Sequence, residues 1–183
     1  MASSLGVRAQ MPVGGALRDN WEAETESPVA RWQVNSDEAS HRFGIPTAWI
    51  ARVMRAESRG LTMLNGRPIT SSKGAMGLMQ VMPATYAEMA RRYGLGADPH
   101  DPGDNILAGA AYLRLMYDRF GYPGLFGAYN AGPARYAAWL AGRQQLPRET
   151  RDYLAIVGGS SSVPRPGQSG GARALPMPPP LFA

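Results

Sequence analysis

The stretch Trp49-Ile50-Ala51-Arg52-Val53-Met54-Arg55-Ala56-Glu57-Ser58 constrains the fold more than any other part of the chain. Wound as a helix at about 100° per residue, it puts Ile50, Val53, Met54 and Glu57 on one narrow stripe and turns Arg52 and Arg55 to the opposite side. The apolar stripe demands a core to pack against, and the arginines mark the solvated face. A carboxylate therefore lies on the face that should be buried. Burial without a partner disfavours the charged form, so such a Glu tends to keep its proton, the state in which a general acid works. The same spacing also fits a core Glu paired with an arginine, or a helix rotated until the Glu reaches water. Spacing alone does not choose among the three.

The setting of this stretch is helical. Asn35 with Glu38 three positions on forms a capping-box-like start for a first helix that ends at Gly44. Pro46 opens the central helix, and Arg59-Gly60 stops it just beyond Glu57. Between residues 61 and 72 the helical period is lost, and Asn65-Gly66 predicts a short β-hairpin. Pro83 begins a helix that runs to Tyr93. Asp104 is placed to cap the longest helix, Asn105 to about Phe120, in which Gly109 admits a close helix contact and Gly121 ends the run. A short helix from about Gly124 to Tyr129, another carrying Tyr136, Trp139 and Leu140, and a last one from near Pro147 complete the set. The 183 residues thus divide into an N-terminal tail (1–28), one compact, mainly α domain (29–157), and a Gly/Ser/Pro-rich tail (158–183) ending in Pro178-Pro179-Pro180.

Composition narrows the chemistry. There is no cysteine, which removes disulfides and cysteine-based nucleophile or zinc chemistry. His41 and His100 are too far apart in sequence to suggest a metal-ligand pattern, and Asp98, Asp101 and Asp104 lack the glycine and closing Glu of a calcium loop. No metal and no cofactor is expected. The formal charge of +5 favours an anionic partner, but the arginines are scattered and Lys73 is the single lysine, which argues against a nucleic-acid surface. No apolar run is long enough to cross a bilayer, and no export leader is legible between Met1 and Gln10.

A few polar residues stand in apolar company. Gln80 interrupts Leu78-Met79-Val81-Met82, Tyr129-Asn130 sits at a helix break, and Glu149 lies in the first turn of the last helix. Each has an ordinary structural reading as well: Gln80 as a cap for the helix at Pro83, Asn130 as a turn residue, Glu149 as a partner of the helix dipole. The small residues Ser71, Ser72, Gly74, Ala75 and Gly77 would let backbone approach a ligand or simply form a loop. No second acid stands near Glu57 in sequence, although most glycosidases need two.

Taken in order, these pieces resemble the lytic transglycosylases with a goose-type-lysozyme-like catalytic domain. The chain is most similar to the small members that accompany conjugation and type IV secretion machinery. The resemblance is carried by Glu57-Ser58; by Gly77-Leu78-Met79-Gln80 with Met82-Pro83-Ala84-Thr85; by Asn105-Ile106 with Ala108-Gly109 and Tyr112-Leu113; by Ala128-Tyr129-Asn130-Ala131-Gly132-Pro133; and by Leu146-Pro147-Arg148-Glu149-Thr150 with Tyr153. It implies a lysozyme-like fold. Glu57 would be the only acid/base, and Gln80, Met82, Tyr129 and Glu149 would line a sugar groove that Asn130 supports. Ser71 matches a groove serine, with Ser72 as the alternative because the segment between Glu57 and Gly77 is longer than in larger members. The implied reaction cleaves the β-1,4 bond between N-acetylmuramic acid and N-acetylglucosamine and leaves a 1,6-anhydromuramyl end, so that one carboxyl suffices. A muramidase that uses water, or a scaffold subunit that binds glycan without cutting it, are the competing readings. The implied partners are peptidoglycan strands and a secretion or conjugation apparatus. The implied location is the periplasm or cell envelope, and a monomer is the default state.

Overall fold

The structure, a computed structural model, describes residues 27–158. The two tails expected at 1–28 and 158–183 therefore lie almost wholly outside the described residues. A single 3₁₀ turn, Ala30–Trp32, leads into helices α1 (Gln33–Phe43) and α2 (Thr47–Glu57). The hairpin follows, β1 (Met63–Leu64) against β2 (Arg67–Pro68), then α3 (Pro83–Tyr93), α4 (Pro102–Ala131), α5 (Pro133–Leu140) and α6 (Arg148–Val157).

Helix α4 is the axis. Its residues Asn105 to Ala111, with Leu113, Met116 and Gly124 to Ala128, are buried, and all five other helices pack against it. It is broken at Gly121 and Tyr122, where the expected stop falls, and resumes after Pro123. Trp49 of α2 fills that break, its ring 5.1 Å from Tyr122, 5.5 Å from Tyr117 and 5.9 Å from Phe126. Aromatic contacts at these separations add to the area they bury. Ile50, Val53 and Met54 are completely buried, whereas Arg52 and Arg55 are exposed. The stripe read from the sequence is the one the fold buries. Arg52 also turns back to give a hydrogen bond to the carbonyl of Val157, helping to close the end of α6.

The hairpin pairs Met63 with Pro68 and Leu64 with Arg67 around Asn65-Gly66. Both turn residues have positive φ (52° and 74°), as a two-residue hairpin turn requires.

Three caps differ from the sequence expectation. Asn35 does not cap α1, because the helix grows directly out of the 3₁₀ turn and starts two residues earlier at Gln33. Asp101, not Asp104, caps α4: its side chain accepts from the Asp104 N–H at 2.9 Å, while Asp104 accepts from the Gly96 N–H. Gln80 does not cap α3, whose N-cap is Met82; the Gln80 amide instead donates to the Gly77 carbonyl at 2.9 Å. Gly109 does admit a close neighbour, but it is the side chain of Met79, not another helix. A Cβ at Gly109 would lie 2.6 Å from Met79.

What fixes the segment 76–81 against α4 is Asn105. Its fully buried amide donates to the carbonyls of Met76 (2.9 Å) and Pro99 (2.8 Å) and accepts from the Met79 N–H at 2.7 Å. Gly77 lies flat on that amide. With φ at +72° and a Cβ that would fall 2.4 Å from the Asn105 nitrogen, no other residue fits there without a shift. Replacing Asn105 by Ala strands the buried Met79 N–H and the half-buried carbonyls of Met76 and Pro99, and an unpaired buried group costs about 1–3 kcal/mol. Asn105→Ala should therefore lose about 3 kcal/mol or more in urea unfolding, and a loss under about 1 kcal/mol would show that water replaces the amide.

Candidate active site

Glu57 ends α2, and the next residue explains why the helix stops there. Ser58 is buried; its hydroxyl donates to the Met54 carbonyl at 3.2 Å and accepts from the Gly60 N–H at 3.1 Å. This local knot fixes the backbone that carries Glu57. The serine of the Glu-Ser pair is therefore spent on structure.

The Glu57 side chain is half-buried, and among the described residues no Arg, Lys or His forms a salt bridge with it. Of the readings left open by spacing, pairing with an arginine is thus absent among these residues. Burial is the main influence on its carboxyl and pushes it up from 4.5 to about 7. The Tyr153 hydroxyl pulls the other way by stabilising the carboxylate, and the charge of Glu149 adds a smaller upward push. Desolvation wins.

Two tyrosines flank this carboxyl. Tyr129, near the end of α4, donates its hydroxyl proton to the carbonyl of Met79 at 2.7 Å, and its ring packs 5.4 Å from Tyr112. Its only proton is committed to the backbone, so toward Glu57 or a ligand its oxygen can only accept. Tyr153, on α6, is buried, and its hydroxyl forms no hydrogen bond of standard geometry among the described residues. Burial, then the neighbouring Glu57, raise both phenols well above their ordinary range, so both stay protonated.

The remaining sequence candidates fall on the surrounding loops and helix ends. Gln80 is half-buried and held at φ 47°, a left-handed conformation that is strained for a residue with a side chain. Met82 is 45% exposed at the N-cap of α3. Asn130 follows Tyr129, half-buried, with no side-chain hydrogen bond among the described residues. Of the two serines, Ser71 is half-buried and its hydroxyl oxygen accepts from the Ala75 N–H at 3.0 Å, whereas Ser72 is exposed. Glu149 stands exposed in the first turn of α6, with Lys73 at 3.5 Å. Tyr129, Tyr153 and Glu149 each act electrostatically on or with Glu57; for Ser71, Gln80, Met82 and Asn130 the structure gives position but no direct link to Glu57.

Sequence reasoning named Tyr153 and Asn105 only as members of family motifs and Lys73 only as the single lysine, and gave none of them a place in the site. Tyr153 is spaced four residues from Glu149, and so on its face of α6, which was a usable signal. Asn105 looked like one member of an apolar helix, and nothing local announces its partners Met76 and Met79, 29 and 26 positions away.

The fold and site thus define a mainly helical domain that holds one buried, protonatable Glu between two tyrosines. The transglycosylase SLT domain model matches residues 34–151, and the chain belongs to that family. It is 34% identical over 131 residues to the soluble lytic murein transglycosylase of Escherichia coli K12, covering 62% of this chain and 20% of the relative. It is 33% identical over 135 residues to the transglycosylase of Enterobacteria phage PRD1, covering 74% of this chain and 47% of that one. The chain thus spans less than half the length of these relatives. Among solved structures, an inactive mutant of lytic transglycosylase Slt from Pseudomonas aeruginosa superposes with a TM-score of 0.61 at 30% identity, covering 74% of this chain and 24% of the other. The 70-kDa soluble lytic transglycosylase in complex with bulgecin A gives 0.61 at 28% identity, with 76% and 25% covered.

The raised carboxyl has a consequence for stability. In the unfolded chain Glu57 ionises near 4.5, but in the folded protein only near 7, so folding holds a proton between those values and stability falls as pH rises through that window. Glu57→Gln removes this dependence. The mutant should gain on wild type by about 2–3 kcal/mol between pH 4.5 and 7, with a constant difference outside the window, as read by urea unfolding across pH. A difference that stays flat throughout would show that Glu57 is solvated.

Proposed function

We propose that this chain is a peptidoglycan lytic transglycosylase in which Glu57 is the only acid/base. One observation carries the reading: a carboxyl held up to about 7 by burial, on an unpaired side chain, in a family of transglycosylases. Protonated Glu57 gives its proton to the glycosidic oxygen between N-acetylmuramic acid and N-acetylglucosamine. The C1–O bond breaks, the glucosamine leaves with a new 4-hydroxyl, and the carbonyl oxygen of the muramyl 2-acetamido group closes on C1. Glu57, now a carboxylate, removes the proton from the muramyl C6 hydroxyl. That oxygen attacks C1, displaces the acetamido oxygen and closes the 1,6-anhydro ring. The enzyme proton is restored and no water is consumed.

The other side chains fit supporting roles. Tyr129, able only to accept, would orient the acid hydrogen of Glu57 or the C6 hydroxyl. Tyr153, with its proton uncommitted, would steady the carboxylate after the first transfer. Glu149, exposed and beside Lys73, suits sugar or peptide contact better than nucleophilic attack. Ser71, Gln80, Met82 and Asn130 would complete the groove. Similarity to lytic murein transglycosylases supports action in the periplasm or cell envelope, on peptidoglycan strands that a secretion or conjugation apparatus would have to pass. A monomer is sufficient for this chemistry. No helix among the described residues is long and apolar enough to cross a membrane.

Mass spectrometry of the muropeptides released from purified peptidoglycan tests the assignment. The wild type should release 1,6-anhydromuramyl ends, and Glu57→Gln should lower the rate by about a thousandfold or more, the upper range for loss of a general acid/base. Because the acid must be protonated, kcat/KM should fall as pH rises above about 7. Reducing muramyl ends would identify a water-using muramidase, and lysis unchanged in Glu57→Gln would remove Glu57 from the chemistry.

A further inference from the structure

Lys73 is the chain's only lysine, in a protein whose other fixed cations are all arginine. Its ammonium stands 3.5 Å from Glu149, 76 positions away in sequence, and the two side chains are 77% and 70% exposed. An exposed pair like this adds little to stability, so stability does not account for how firmly it is mounted. The turn beneath Lys73 is tied by three hydrogen bonds: Ser71 N–H to the Ala75 carbonyl (2.8 Å), Gly74 N–H to the Ser71 carbonyl (2.9 Å), and Ala75 N–H to the Ser71 hydroxyl (3.0 Å). Met76, just after it, bridges to both Thr70 and Val81, and its carbonyl is held by buried Asn105. Opposite, Glu149 rides on α6 beside buried Thr150 and Tyr153, close enough to Glu57 to influence its carboxyl. A cation is thus held on a rigid turn at the edge of the site, facing a carboxylate.

The choice of lysine suits a partner that is meant to be exchanged. An ammonium is a compact, strongly hydrated charge that releases one carboxylate for another, whereas an arginine would lock in a bidentate pair. The glycan chain itself is uncharged apart from what hangs on its muramyl residues, and those carry acidic peptide stems. We propose that Lys73 is a subsite for a peptide-stem carboxylate on the muramyl residue, with Glu149 holding the ammonium in place until substrate displaces it. This rests on the glycan-cleaving function given above and adds a preference for strands that keep their peptides.

Binding to the Glu57→Gln protein tests it without depending on turnover. Calorimetric titration would compare a glycan oligomer bearing peptide stems with the same oligomer stripped of them by an amidase. The stem-bearing ligand should bind roughly fivefold tighter, a margin that shrinks with added salt. Lys73→Met should erase that margin, and Lys73→Arg, locked onto Glu149, should lose much of it. A margin that survives Lys73→Met overturns the subsite. So does tighter binding of both ligands in Lys73→Met, which would make the pair a bar across the site. Equal binding of the two ligands by Lys73-containing protein overturns the subsite alone, while binding of neither overturns the glycan function as well.

Discussion

The structure depends on the backbone of a single residue, Met79, held from both sides. The N–H of Met79 is taken by the buried amide of Asn105, and the Met79 carbonyl is taken by the hydroxyl of Tyr129. Asn105 lies at the start of α4 and Tyr129 near its end, beyond the break at Gly121 and Tyr122, so this one residue ties both halves of the central helix to the loop 76–81. The side chain of Met79 fills the space left by Gly109 in the same helix. Part of what surrounds Glu57 is hung from this arrangement: Gln80 takes its left-handed backbone directly after the clamped residue, and Met76 anchors the turn that bears Lys73. A buried amide with all its partners in place rigidifies because each missing partner would be expensive.

The electrostatics of the site follow from the same packing. Tyr129 comes close to Glu57 because its hydroxyl must reach Met79, and Tyr153 does so because α6 lays its apolar face against α4. Both rings exclude water from the carboxyl, which is the larger effect; the hydroxyl of Tyr153 returns part of the loss. The balance leaves a carboxyl able to hold a proton at neutral pH and to release it when a transition state develops charge. A second acid at close range would push the first still higher and hold its proton too firmly. Glu149 avoids this by standing exposed beside Lys73.

Much of this was legible in the residues. The stripe of Ile50, Val53 and Met54 with Glu57, the hairpin turn at Asn65-Gly66 and the break at Gly121 are local signals, and local signals survive into the fold. The caps were less legible. Asn35 with Glu38 has the right residue types, but the preceding 3₁₀ turn supplies the first helical turn and leaves the capping pair inside α1. Asp101 and Asp104 are both plausible caps, and only the path of the loop through Gly96 decides between them. Asn105 and Tyr153 carried no readable role, because the Met76 and Met79 partners of Asn105 are 29 and 26 residues distant and the Glu57 neighbour of Tyr153 lies on another helix. Ser58 could be read as half of a motif, but its work is to end the helix.

Burial, more than any neighbouring charge, keeps the carboxyl of Glu57 protonated close to neutral pH. Carboxyl ¹³C NMR of glutamate-labelled protein, titrated without ligand and assigned with Glu57→Gln, measures this directly. The account requires Glu57 to titrate near 7, well above the ordinary 4.5. A midpoint at or below 4.5 would contradict it, since the residue could not then serve as the acid that starts the reaction.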